Sequence, residues 1–219
     1  MVTYQDIIKD PAINVYIEQA DAALRYLGYT EHAYAHVGRC AETAGRLLRQ
    51  LGYSDREVEL AKIAGYMHDI GNVVNRTDHA QSGAMMAFRL LDHQQMDPGE
   101  IAVIISAIGN HDESTAFPVN PVAAALILAD KSDVRRTRVR NPDMIYFDIH
   151  DRVNYAVVNA DLNLDIEHRE ITLLLTIDNQ ISSVADYFEI FLGRMLLCKR
   201  AATYFDLSFR LKVNDIQLM

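Results

Sequence analysis

The chain has no tryptophan and only two cysteines, Cys40 and Cys198, which are far apart in the sequence. Two isolated cysteines exclude a disulfide framework, and they are too few for a zinc site built from thiolates. No apolar run reaches the roughly 18 residues that a membrane-spanning helix needs. The opening segment MVTYQDIIKDPA lacks the basic and apolar stretches of a signal peptide. We therefore expect a soluble, cytoplasmic protein.

Positive charge is also scarce. Lys and Arg number 21 against 30 Asp and Glu, which gives a net charge of −9. This balance argues against a general nucleic-acid-binding role, because such proteins neutralise phosphates with basic side chains. The rest of the composition is that of an ordinary globular protein, with 50% hydrophobic and 23% charged residues. A chain of 219 residues is long enough for one large domain or for one domain with an appendage.

Signals for helices follow one another through residues 1–140. Pro11 after Asp10 is typical of a helix start, and Ser54 with Glu57 three residues later is a capping box. Apolar residues at helical spacing follow these starts and the further starts predicted at Thr30, Asp78, Asp97–Pro98 and Asn120–Pro121. The sequence therefore predicts a mainly α fold, in which residues 1–140 form a helical bundle.

The pattern changes after about residue 140. Residues 151–164 and 169–177 alternate between apolar and polar side chains, as in two strands of a hairpin. An apolar helix is predicted over 181–204, and the segment LSFRLKV that ends the pattern alternates like another strand. We therefore predict a small α+β unit, with the order β-β-α-β, over residues 141–219 and packed on the helical domain.

Six residues of metal-ligand types occur in or beside the predicted helices: His36, His68, Asp69, His79, His111 and Asp130. His68 and Asp69 are adjacent in the string GYMHDIGN, where Gly71 lets the chain turn away from the helix end. No single spacing between these residues is a strong signal of a metal site, but the six residues in this order are. Imidazole nitrogens and carboxylates on converging helices are the ligands that two divalent metals need at close range. We therefore predict a two-metal site in which Asp69 can bridge.

The order of these residues resembles the two-metal members of the HD-domain superfamily of metal-dependent phosphohydrolases, H…HD…H…H…D. The similar strings lie between residues 30 and 140: HVGRCAETAGRLL, GYMHDIGN, DHAQSGAMMAFRLL, AIGNHDE and LILADKSDVRR. The resemblance implies a helical bundle, the six residues above as metal ligands, and hydrolysis of phosphate esters or anhydrides. Two divalent ions are the implied cofactors. Fe, Mn, Co, Ni and Zn all suit such ligands, so the metal stays open.

Departures from the superfamily's patterns narrow the comparison. Members that cleave cyclic dinucleotides carry a lysine after the HD-I-G string, a GYP motif, and a doubled histidine before a glutamate. Here Asn72 follows HDIG, GYP is absent, and a single histidine stands in Asn110-His111-Asp112. Members that hydrolyse symmetrical dinucleoside tetraphosphates have a single histidine at that point. They are the nearer comparison.

A basic run after Asp130 is unusual in this acidic chain. We predict that its residues Lys131, Arg135 and Arg136 bind substrate phosphates. His32, four residues before His36, is predicted to share its helix face and to contact substrate as well. Asp69 is the predicted catalytic residue: it would bridge the metals and orient the hydroxide that two metals generate by lowering the pKa of a water.

These features predict an enzyme, a metal-dependent hydrolase of phosphoester or phosphoanhydride bonds in a nucleotide or related small phosphorylated metabolite. Two alternatives stay open. Some superfamily members with the same ligand set hold two irons and use dioxygen to cleave a carbon–phosphorus or carbon–carbon bond. A non-catalytic nucleotide-sensing module would instead use the β-β-α-β unit for dimerisation. Neither a nucleic-acid duplex nor a membrane is an expected partner, and the apolar helix over 181–204 leaves a homodimer open.

Overall fold

The computed structural model describes residues 1–145 and 148–219. These residues form two compact units, Met1–Asp130 and Lys131–Met219. The predicted fold class is confirmed, because the first unit is helical and the second contains a small sheet. A division into two domains at residue 140 stays a prediction, since the compact units are defined by contacts and not by independent folding. None of the described helices is long and apolar enough to cross a membrane.

The first unit is built from helices that follow one another along the chain. They are α1 (Tyr4–Lys9), α2 (Pro11–Tyr26), α3 (Tyr34–Gln50), α4 (Asp55–Met67), α5 (His79–His93), α6 (Pro98–Gly109) and α7 (Pro121–Lys131). A short 3₁₀ helix over Ile70–Val73 lies between α4 and α5. The short helix α1 has no counterpart among the predicted elements.

Side-chain caps fix four of the predicted helix starts. Asp10, Ser54, Asp97 and Asn120 each accept a hydrogen bond from a backbone amide in the first turn of α2, α4, α6 and α7. Glu57 completes the capping box at Ser54. These predicted starts are confirmed. Each cap satisfies amides that the first turn of a helix leaves without a backbone partner.

The predicted start of α3 at Thr30 is wrong. The helix begins at Tyr34, so His32 precedes it and does not share a helical face with His36. The segment before the helix is held by a contact with another helix, because the carboxylate of Asp21 in α2 accepts a hydrogen bond from the backbone amide of His32 at 2.8 Å. The backbone of Ala33 is extended, and the helical turns begin only after it.

The predicted start of α5 at Asp78 is confirmed, but the predicted capping by its side chain is wrong. Asp78 precedes the helix, but its backbone is left-handed, with φ of 56°, and its side chain does not cap the first turn. The junction is held instead by His79, whose Nδ1 lies 2.9 Å from the carbonyl oxygen of Arg76. A candidate metal ligand therefore also fixes where its own helix begins.

Small residues line the contact between α3 and α4. Gly65 in α4 packs directly on α3, since a Cβ at this position would lie 2.7 Å from both the backbone nitrogen and the Cα of Ala41. Fully buried alanines surround this crossing: Ala41, Ala44, Ala61 and Ala64. The close approach brings His36 on α3 to His68 at the end of α4, with ring centroids 5.2 Å apart.

The second unit combines two helices with a four-stranded sheet. Its elements are α8 (Ile149–Ala156), β1 (Val157–Asp165), β2 (Glu170–Ile177), α9 (Val184–Tyr204), β3 (Ser208–Val213) and β4 (Ile216–Gln217). The strands lie in the order β1-β2-β3-β4, in which β2 pairs parallel with β3 and the outer pairs are antiparallel. The predicted hairpin, long helix and strand over LSFRLKV are confirmed. The predicted inner face of β2 is buried: Ile171, Leu173, Leu175 and Ile177.

The first half of the strand predicted over 151–164 is wrong. These residues belong to α8, whose first turn is capped by the side chain of Asp148, and β1 begins only at Val157. The buried residues Ala156 and Val157 are three and four residues after the buried Val153, which is helical spacing, but they are also adjacent to each other. So short a segment does not separate the helical period from strand alternation. The unit therefore has the order α-β-β-α-β-β rather than β-β-α-β.

Replacing Gly65 with alanine should destabilise the first unit. The added Cβ would collide with the backbone of Ala41, which cannot move aside as a flexible side chain can. We expect the free energy of unfolding to fall by about 1–3 kcal/mol, as for other overpacked cores. Urea denaturation measures this change.

The matched control is Gly38→Ala in α3, where a new Cβ meets no atom within 4 Å among the described residues. This variant should be as stable as the wild type or more stable by up to about 1 kcal/mol, because alanine favours a helix over glycine. Equal stabilities of the two variants would contradict the close helix crossing.

Candidate metal centre

The end of α4 carries the middle of the predicted ligand set. His68 is the last residue of the helical path, and Asp69 follows it in the turn before the 3₁₀ helix. Gly71 then passes against α5, where a Cβ would lie 2.0 Å from the carbonyl oxygen of His79 and 2.4 Å from the amide nitrogen of Gly83. Only glycine fits this passage. The absence of a side chain therefore brings His79 close to Asp69.

The carboxylate of Asp69 lies between two pairs of histidines. Its Oδ2 is 3.3 Å from Nε2 of His68 and 3.6 Å from Nε2 of His36. Its Oδ1 is 3.5 Å from Nε2 of His79 and 3.8 Å from Nε2 of His111. Each oxygen of the one carboxylate therefore faces a different pair of imidazole nitrogens.

Asp130, near the end of α7, joins the first of these pairs. Its Oδ1 lies 3.4 Å from Nε2 of His36 and 3.9 Å from Nε2 of His68. The structure thus brings the six predicted ligands together from α3, the end of α4, α5, the end of α6 and α7. That these residues bind metal stays a prediction, which the chemistry of the donor atoms supports.

Three of the histidines are held in one orientation by the backbone. The Nδ1 atoms of His68, His79 and His111 lie 2.8, 2.9 and 2.6 Å from the carbonyl oxygen three residues earlier in the chain. A carbonyl oxygen only accepts hydrogen bonds, so Nδ1 carries the proton and Nε2 of the neutral ring presents a lone pair. Metal-binding histidines commonly donate their second ring N–H in this way.

The Nε2 atoms leave a place for a cation. Nε2 of His68 is buried and has no hydrogen-bond partner within the described part of the chain. Nε2 of His79 and Nε2 of His111 are 3.2 Å apart, although in the neutral rings both present lone pairs. Buried acceptors that face each other in this way are costly unless a positive charge lies between them. The donor set therefore fits divalent metal ions.

Burial and charge set the protonation of these ligands. Burial alone would raise the pKa of Asp69, but the adjacent imidazoles of His68 and His111 hold it well below its usual range. Burial lowers the pKa of His79 to about 4. At neutral pH Asp69 is therefore ionised and His79 neutral, which are the forms that bind metal.

His68 behaves differently from His79. Burial lowers its pKa, but the negative charge of Asp69 and that of Asp130 together raise it above the usual histidine value. In the protein without metal, the ionised Asp69 therefore favours a second proton on the His68 ring, at the Nε2 that faces its carboxylate. A metal ion must displace this proton, so metal uptake at this pair is coupled to proton release.

A thiol also lies within the cluster. The ligand atoms of two groups are within 4.8 Å of one another: His36, Cys40, His68 and Asp130 in one, and His68, Asp69 and His111 in the other. Cys40 is buried one helical turn after His36, and its Sγ is 3.7 and 3.8 Å from the two ring nitrogens of His36. In the sequence alone, Cys40 is only one of two isolated cysteines. Its spacing of four residues from His36 could have indicated the contact.

His32 lies close to the cluster despite the wrong prediction of its helix. Its ring centroid is 5.3 Å from that of His36 in an edge-on arrangement. Its Nδ1 lies 2.7 Å from the carbonyl oxygen of Thr30, which fixes the ring. Its predicted contact with substrate stays a prediction.

Two of the three basic residues predicted to bind phosphate have partners within the second unit. Arg135 donates a hydrogen bond to Asp133 at 2.8 Å. Arg136 donates one to the carbonyl oxygen of Tyr155 at 2.7 Å and lies over the ring of the same tyrosine. Lys131 is buried. The role of these three residues in substrate binding stays a prediction.

Two polar residues between Asp69 and α5 were missed by the sequence analysis. The side-chain amide of Asn72 donates to Oδ1 and to the backbone carbonyl of Asp69, at 3.0 and 2.9 Å. Arg76 places Nη1 3.3 Å from Oδ1 of Asn72 and 3.4 Å from Nε2 of His79. In the sequence alone, Asn72 is only a departure from the pattern of the members that cleave cyclic dinucleotides. Its position three residues after Asp69 could have indicated a hydrogen bond to that carboxylate.

Comparison with known proteins adds two findings. A family model of the HD domain matches residues 33–189, more than half of the chain, and extends beyond the similar strings into the second unit. The uncharacterized protein MJ1020 of Methanocaldococcus jannaschii is 23% identical over 161 residues. That alignment covers 64% of this chain and 62% of the relative, so the chain spans less than two thirds of the relative's length. The resemblance seen in the sequence strings is confirmed by the match to the family model.

Replacing Gly71 with alanine should weaken metal binding. The new Cβ would overlap the backbone of α5 and push His79 away from Asp69. We expect affinity for a divalent ion such as Mn²⁺ or Zn²⁺ to fall by about 10- to 100-fold or more, the range seen when the support of a ligand is lost. Isothermal titration calorimetry measures the affinity, and circular dichroism checks that the variant is folded.

Gly109→Ala is the matched control, two residues before His111. Among the described residues its Cβ would meet only Cβ of Ala84, at an ordinary 3.7 Å. This variant should bind metal like the wild type. A folded Gly71 variant with wild-type affinity would show that the tight passage does not position the centre.

Proposed function

The chain belongs to the HD-domain family, and from this premise we propose that it is a metal-dependent phosphohydrolase. The proposed reaction is hydrolysis of a phosphoester or phosphoanhydride bond in a nucleotide or a related small phosphorylated metabolite. The observation that carries the proposal is the buried Asp69 carboxylate, whose two oxygens face two pairs of histidines. Such a set of donors suits two divalent ions close together, as in many phosphate-cleaving sites.

We assign the two ions to the two sides of Asp69. His36, His68 and Asp130 would complete the ligands on the Oδ2 side, and His79 and His111 on the Oδ1 side. Fe, Mn, Co, Ni and Zn remain the proposed metals. When bound, the ions supply a water acidic enough to lose a proton at neutral pH, and positive charge that neutralises a phosphate.

The chain's own residues hold this arrangement in place. Asn72 donates to Oδ1 of Asp69 and so limits rotation of the carboxylate that both sides share. The hydrogen bonds from Nδ1 of three histidines to backbone carbonyls fix their rings before any ion binds. A preorganised site of this kind stabilises developing charge without having to reorganise during the reaction. His32, Lys131, Arg135 and Arg136 are the proposed substrate contacts.

Metal content and phosphate release together test this proposal. Wild-type protein reconstituted with metal should contain about two ions per chain and release phosphate from members of a nucleotide panel. Asp69→Ala should lose both ions, because its carboxylate serves both sides. His36→Ala and His79→Ala should each lose about one ion, and all three variants should lose most of the phosphate release. Elemental analysis and a phosphate assay give the two readouts.

His93→Ala is the control, since His93 is exposed at the end of α5. It should keep both ions and full activity. Two irons with oxygen consumption on an organic substrate and no phosphate release would instead establish the di-iron oxygenase. Less than one ion per chain, together with no turnover, would overturn both the phosphohydrolase and the oxygenase hypotheses and would leave the nucleotide-sensing module.

A further inference from the structure

We propose that Arg76 binds the phosphoryl group of the substrate at the metal centre, as a cationic clamp on the side of His79. The inference rests on the proposed phosphohydrolase function and adds the residue that recognises the anionic substrate. None of the predicted substrate contacts includes Arg76. Three observations support the proposal: the position of Arg76 beside His79, the lack of an acidic partner for its guanidinium, and the contact of the guanidinium with the ring of Tyr29.

The turn before α5 places Arg76 at the centre itself. Its backbone carbonyl accepts the hydrogen bond from Nδ1 of His79 at 2.9 Å. Its side chain folds back on the same histidine, so that Nη1 lies 3.4 Å from Nε2. A guanidinium this close to a ligand nitrogen is within reach of any anion that binds to an ion on this side.

The charge of Arg76 is not neutralised by the protein. Throughout the described residues no carboxylate lies within 4.0 Å of its guanidinium, and its contacts are to an amide oxygen, an imidazole and an aromatic ring. Arg56, which is also half-buried in the first unit, differs, because it donates a hydrogen bond to Glu100 at 2.6 Å. A half-buried arginine without an acidic partner is suited to bind an anion from solution.

Tyr29 holds the guanidinium without removing its charge. The central carbon of the Arg76 guanidinium lies 5.4 Å from the centroid of the Tyr29 ring, within the range of a cation–π contact. In the described structure, Nε and Nη2 of Arg76 make no hydrogen bond, so these donors are available for two oxygens of one phosphate. The Tyr29 ring therefore limits the orientation of the Arg76 guanidinium, while Nε and Nη2 of the guanidinium stay available as donors.

The balance of charge at the centre favours the same occupant. Asp69 and Asp130 carry the negative charge of the ligand set, which is less than two divalent ions would bring. Arg76 adds a further positive charge beside them. Without an anion these cations repel one another at short range, and a phosphate between them removes this repulsion. Inorganic phosphate is therefore a suitable probe of this contact.

Variants of Arg76 test the proposal through binding as well as through turnover. In metal-loaded protein, Arg76→Ala should weaken the binding of inorganic phosphate by about 10- to 100-fold, the effect of losing charge-assisted hydrogen bonds. Arg76→Lys should restore only part of this affinity, because an ammonium lacks the planar fork. Isothermal titration calorimetry measures Kd, and KM and kcat are measured on the best substrate of the nucleotide panel. Metal content should equal that of the wild type.

Arg89→Ala is the matched control, since Arg89 is an exposed arginine on α5. It should bind phosphate like the wild type. Phosphate affinity in Arg76→Ala equal to that in Arg89→Ala overturns the proposal. Loss of metal in Arg76→Ala also overturns it, because Arg76 would then support His79 rather than bind substrate. If the wild type releases no phosphate from any substrate, the proposed function fails, while the calorimetric comparison still decides the role of Arg76.

Discussion

The ionised carboxylate of Asp69 is the constraint around which the first unit is organised. A charge that is 4% exposed is costly to bury, and here imidazole rings from three other helices and the side-chain amide of Asn72 offset that cost. The helices that supply these groups must therefore meet at one point. The same negative charge raises the pKa of its neighbour His68. It therefore favours a positive charge, from a proton or from a metal ion, between the His68 ring and the carboxylate.

Close backbone contacts make this convergence possible. At Gly65 the helix α4 packs directly on α3, and at Gly71 the chain passes directly against α5. Each contact brings a ligand of one segment to the ligand of another: His36 to His68 in the first case, and His79 to Asp69 in the second. The geometry of the centre is thus set by where backbones touch, and less by the reach of the side chains.

Features fixed by neighbours in the sequence were predicted well, and features fixed by distant contacts were not. The caps at Asp10 and Ser54 are local, so the starts of α2 and α4 could be predicted. The segment before α3 is held by Asp21, a residue of another helix, and α8 is too short for its period to be distinguished. The ligand set could be predicted from the residue types at the helix ends, and the resemblance to a family supported it. The position of Arg76 beside His79 follows from a tight turn that spacing alone does not specify.

The ligand set extends from His36 to Asp130, over most of the first unit in sequence. An ion held between α3, the end of α4 and α7 would therefore act as a cross-link that closes long loops of chain. Cross-links over long loops stabilise mainly by lowering the conformational entropy of the unfolded chain. In this fold the centre that would activate water would also be a structural cross-link. Because the ion would bind the folded chain and not the unfolded one, tighter binding of the ion would raise the free energy of unfolding.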